Sequence, residues 1–106
     1  MTELVLQVDI TDWKAVKAMV YDTVRFKCKN AKGTAFTVYA RDVCKLHFLP
    51  LRPIYLTQIG AALDEIYEET LTRPEIIEKL GCKGLEKGGN SHHKWWRFEK
   101  LNRTNK

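Results

Sequence analysis

The chain has 106 residues, of which 44% are hydrophobic and 29% charged, and its net charge is +5. That length suits one domain with a core that needs no metal or disulfide staple, and that composition fits a globular protein rather than a disordered or fibrous one. No apolar run approaches the ~18 residues of a membrane span, and Met1-Thr2-Glu3-Leu4 carries no basic leader, so neither a membrane partner nor a secretory signal is expected.

The segment Leu4-Val5-Leu6-Gln7-Val8-Asp9-Ile10 reads as a short strand or extended arm within residues 1–10. Thr11 or Asp12 can then cap a helix, with Ile10 stapling onto its first turn. Trp13, Val16, Val20, Val24, Cys28 and Ala31 fall on one stripe at helical spacing, which predicts a helix over about 12–30. The same residues admit a second reading. Val24, Phe26 and Cys28 alternate with cations, and Asn30-Ala31-Lys32-Gly33 would make a turn, giving a hairpin of 22–29 with 34–40. The helix is the reading taken here.

Gly33 ends that element, and Ala35-Phe36-Thr37-Val38 is a short β-like run. Tyr39 to His47 has near-helical apolar spacing and predicts a short helix. Pro50 and Pro53 bracket a turn. Ile54 to Glu69 places Leu56, Ile59, Leu63, Ile66 and Tyr67 on one face, the clearest helix of the chain, with Pro53 in its first turn. Thr72-Arg73-Pro74-Glu75 has the form of a capping box, so Pro74 to Leu80 should be a further short helix ended by Gly81. Cys82 to Leu85 reads as irregular. A glycine turn then leads to a strand over Lys94–Leu101, and 102–106 reads as a frayed basic tail. Cys28, Cys44 and Cys82 are an odd count at wide spacing. They point to buried thiols in a reducing, cytoplasmic compartment rather than to a disulfide framework.

The positive charge is concentrated. Residues 79–106 carry eight Lys/Arg against two Glu, whereas residues 1–78 are nearly neutral. Within that basic quarter, Lys87-Gly88-Gly89-Asn90-Ser91-His92-His93-Lys94 runs straight into Trp95-Trp96-Arg97-Phe98. A basic glycine-rich loop on a rigid aromatic hairpin suits contact with a phosphate backbone. Alternation predicts Trp96 and Phe98 inside, with Trp95 left half exposed beside Arg97. There it can stack on a base or anchor a protein.

The order of elements, with Phe36 to Cys44, Tyr55 to Leu63 and a hairpin at 86–100, resembles a winged helix-turn-helix domain over residues 12–101. The resemblance implies an α+β fold, mostly helical, with a C-terminal β-hairpin wing. It also implies a double-stranded DNA-binding function, in a transcriptional regulator or a DNA-processing accessory factor. On that reading Arg52, Tyr55, Thr57 and Gln58, at the start of the second helix of the motif, face the major groove or its phosphates. Lys87, Asn90, Ser91, His92, His93, Lys94, Trp95 and Arg97 sit on backbone or minor groove. The acidic half of that helix (Asp64, Glu65, Glu68, Glu69) must face away from DNA.

Two other functions stay open. One is a protein-interaction subunit of a replication or transcription complex, using Trp95 or the acidic face 64–69. The other is single-stranded nucleic acid binding through Trp95 and the basic tail. No metal site or cofactor is expected: adjacent histidines rarely share one ion, and no Cys-x-x-Cys pair is present. No phosphate-binding glycine loop or activated nucleophile appears, so an enzyme is not expected.

Overall fold

The computed structural model describes residues 11–90 and 93–101. The expected N-terminal strand or arm, Ser91, His92 and the basic tail lie outside the described residues. The fold is α+β. In chain order it comprises α1 (Trp13–Asn30), β1 (Ala35–Tyr39), α2 (Ala40–Leu46), α3 (Pro53–Thr72), α4 (Pro74–Leu80), β2 (Cys82–Gly88) and β3 (Trp95–Lys100). The three strands form one antiparallel sheet in the order β1-β3-β2.

Helix α1 starts where Asp12 accepts the Ala15 N–H at 3.3 Å, relieving one orphan donor of the first turn. It runs unbroken through Asn30, which overturns the hairpin reading of 22–40. The physical reason is burial: Val16, Val20, Val24 and Cys28 are all inside, together with Met19 and Thr23, and only the helical period brings them to one face. Helix α3 follows the expected stripe. Ile59, Leu63 and Ile66 are fully buried, with Tyr67 beside them, and Pro53 is its first residue.

Two local expectations are corrected. The capping box does not form. Helix α3 continues to Thr72, whose hydroxyl donates back to Glu68 O, while Glu75 pairs with Arg73 at 2.8 Å. Residues 82–85 are not irregular but the first half of β2. There the pairing shifts register between Gly84 and Glu86, a bulge that breaks the alternation a strand should show. Gly81 ends α4 as expected, in left-handed backbone at φ 81°.

The buried side of the sheet carries Phe36, Val38, Trp96 and Phe98. Phe36 stacks on Phe98 across the β1–β3 register, and Tyr67 of α3 meets Phe98 edge-on, with centroids 5.8 and 5.9 Å apart. Tyr67 also explains Gly84, because any Cβ there would lie 2.6 Å from its ring. Trp96 and Phe98 are therefore inside as alternation predicts, and Trp95 is half-buried on the outer face. Among the described residues no helix is long and apolar enough to cross a membrane.

Candidate nucleic-acid interface

Between α3 and the β2–β3 hairpin lies a cleft of about 730 Å³. Thr57, Gly60, Ala61 and Asp64 line it from successive turns of α3, Tyr39 and Arg41 from the β1–α2 junction, and His93, Lys94 and Trp96 from the hairpin. Leu51, Pro53 and Leu56 give it an apolar end. Leu51 belongs to a loop that also exposes Phe48, which has left-handed backbone at φ 57°.

The described site residues expected from sequence do not form one cluster. Thr57, His93 and Lys94 meet in the cleft, and all three are exposed. The loop that carries the last two is pinned at its turn, where the His93 N–H donates to both the backbone and the side-chain oxygen of Asn90, each at 3.1 Å. Arg52 is exposed at the α3 N-cap. Tyr55 packs against the core and Gln58 is half-buried, so neither projects freely from the helix.

Trp95 and Arg97 form a second group on the outer face of the sheet. The Trp95 ring lies tight against Gly88, and Arg97 reaches Thr37 Oγ1 at 3.3 Å and Glu86 at 3.9 Å. Neither lines the cleft, whereas Trp96 does.

Lys87 stands apart from both groups. Its ammonium lies 3.2 Å from Asp64 and 3.4 Å from Glu68 on α3. Desolvation pulls its pKa down. Hydrogen bonds and charge from Asp64 and then Glu68 outweigh that pull and hold it above the ordinary lysine value. The acidic half of α3 is thus compensated from within the fold. Lys17 of α1 takes Glu65 and Glu69 at 2.8 and 2.9 Å, just as Lys87 takes Asp64 and Glu68.

Two cations, Arg41 and Lys94, border the cleft. Arg41 and Lys94 have no carboxylate within ion-pair distance among the described residues, a state they share with other exposed cations such as Lys14, Arg25 and Lys45. The one carboxylate that lines the cleft among the described residues, Asp64, is shared by Lys87 and the Trp96 indole N–H. Asp42, next to Arg41, is taken by Lys27 at 2.9 Å. The cleft therefore presents uncompensated positive charge beside a partly apolar wall. Sequence reasoning did not single out Arg41. The signal was available in an arginine placed two residues after Tyr39 at the strand-to-helix junction. Among the described residues no group of three His, Cys, Asp or Glu side chains is placed to hold a metal ion.

Compared with protein-family models, curated proteins and solved structures, the chain matches none.

Proposed function

We propose that this chain is a winged-helix protein that binds double-stranded DNA, with the N-terminal half of α3 at the major groove and the 89–94 loop on the backbone. The observation that carries the reading is the charge distribution in the cleft. Among the described residues that line it, Arg41 and Lys94 have no carboxylate partner, and the carboxylate present, Asp64, is held by Lys87 and the Trp96 indole. A groove of uncompensated positive charge attracts a polyanion before any specific contact forms. The order helix, strand, helix, helix and C-terminal hairpin, with the short helix α4 inserted before the hairpin, and the sheet order β1-β3-β2 support the winged-helix assignment. Arg52 and Thr57, both exposed on the first turns of α3, are the groups suited to base or phosphate contact.

The protein-interaction alternative through the acidic face 64–69 draws less support, because Lys17 and Lys87 already occupy those carboxylates. The deciding experiment is fluorescence anisotropy with a random-sequence duplex at increasing salt. A DNA binder loses affinity steeply and linearly on a log–log plot. An absence of binding even at low salt overturns the reading.

A further inference from the structure

We propose that Arg41 is the phosphate anchor of the cleft, gripping a non-bridging phosphodiester oxygen opposite Lys94. This rests on the duplex-binding reading and adds to it a residue and a subsite. Arg41 sits in the first turn of α2, exposed, with its guanidinium carbon 4.4 Å from the centroid of the Tyr39 ring. Stacking on an aromatic face holds the plane of a guanidinium while leaving its N–H edges free.

The platform is itself fixed. The Tyr39 N–H donates to Asp42 at 2.7 Å, and Tyr39 pairs across the sheet with Trp95. Asp42 does not compete for Arg41, because Lys27 holds the same oxygen at 2.9 Å. An arginine that is oriented, lines a cleft and has no acidic partner among the described residues keeps its fork of donors for an external acceptor. A phosphate oxygen matches that fork. Lys94 lines the same cleft from the hairpin, so the cleft is bordered by a cation from α2 and another from the hairpin. Preorganisation lowers the ordering cost of binding, which a mobile lysine at this position would pay in full.

The test compares Arg41→Ala, Arg41→Lys and Arg25→Ala by anisotropy on a random duplex and on a single strand, over about 50 to 200 mM salt. Arg25 is exposed on α1 and does not line the cleft, so its loss changes net charge equally without touching the site. Arg41→Ala is expected to flatten the log–log salt slope by about 0.9 on every duplex sequence, and Arg25→Ala to leave it unchanged. Arg41→Lys should keep the slope and lose several-fold in affinity, since lysine neither stacks as a plane nor offers a fork. If wild type binds duplex and the Arg41→Ala slope equals the wild-type slope, the anchor is overturned and the duplex reading stands. If wild type binds only the single strand, with the same dependence on Arg41, the anchor stands and the duplex reading falls. If wild type binds neither, both are overturned.

Discussion

Asp64 on α3 accepts the indole N–H of Trp96 on β3 at 2.9 Å, and the same carboxylate oxygen receives the Lys87 ammonium from β2. One side chain thus ties both strands of the hairpin to the helix that forms the other wall of the cleft. The tie is also electrostatic, since Lys87 cancels a charge that would otherwise face any polyanion in the cleft. Asp64→Ala leaves an almost fully buried indole without its acceptor. It should cost about 1–3 kcal/mol in urea unfolding, while Asp64→Asn, which keeps an acceptor, should cost under about 1 kcal/mol. Equal losses for the two variants would mean that the charge, not the hydrogen bond, holds the hairpin.

Two glycines make opposite predictions from the same kind of geometry. A Cβ at Gly84 would lie 2.6–2.9 Å from three carbons of the Tyr67 ring, and that ring is itself wedged edge-on against Phe98. Gly84→Ala should destabilise by about 1–3 kcal/mol through overpacking. At Gly60, in the middle of α3, the nearest atom to an added Cβ is the tip of Trp96 at 3.7 Å, an ordinary contact. Gly60→Ala should therefore stabilise by about 0.5–1 kcal/mol, the usual helix-propensity difference. Thermal unfolding of both variants checks the pair.

The long helices were legible because burial follows their period. Leu63 is fully buried at the position the stripe assigns to it, so Leu63→Ala should cost about 2–5 kcal/mol in chemical unfolding. A loss within the range of a surface site, under about 0.5 kcal/mol, would contradict that placement. Strand β2 was not legible. Gly84 is there for the Tyr67 ring, seventeen residues away along the chain, and the bulge after it erases the alternation that marks a strand. The site shows the same division. The basic loop and Trp95's half exposure follow from local sequence. The pairing of Lys87 with Asp64 and Glu68, and the placing of Arg41 and Lys94 around one cleft, exist only once the hairpin folds back on α3 and β1.

Lys17 supplies a prediction in pH. Burial works against its charge, but hydrogen bonds and charge from Glu65 and Glu69 prevail and raise its pKa above the ordinary 10.5. The folded-state pKa thus exceeds the unfolded one. The stabilisation is then complete below the unfolded value and fades as pH rises through the folded value. The Tm difference between wild type and Lys17→Met should stay constant from neutral pH to about pH 10, then shrink at higher pH. The corresponding stabilisation should be modest, about 0.5–1 kcal/mol, because Glu65 is half exposed to solvent. A difference that vanishes already near neutral pH would contradict the raised pKa.

Lys87 and Lys94 flank the same hairpin turn, yet they should behave differently toward DNA. Lys94 is exposed in the cleft with no carboxylate partner among the described residues, so Lys94→Ala should remove one counterion-releasing contact and flatten the salt slope by about 0.9. Lys87 is already engaged by Asp64 and Glu68, so its charge is spent inside the fold. Lys87→Met should lower duplex affinity mainly by unmasking those two carboxylates, a repulsion that the added variant Asp64→Asn partly relieves. Lys87→Met/Asp64→Asn should therefore bind duplex more tightly than Lys87→Met alone, even though it carries one more substitution. Lys94→Ala should gain less from Asp64→Asn, because Lys87 remains there to mask the carboxylate. Anisotropy titrations of the four variants at two salt concentrations decide the matter. If Lys87→Met and Lys94→Ala flatten the slope equally and Asp64→Asn rescues neither, both lysines contact the backbone directly, and the internal role assigned to Lys87 is wrong.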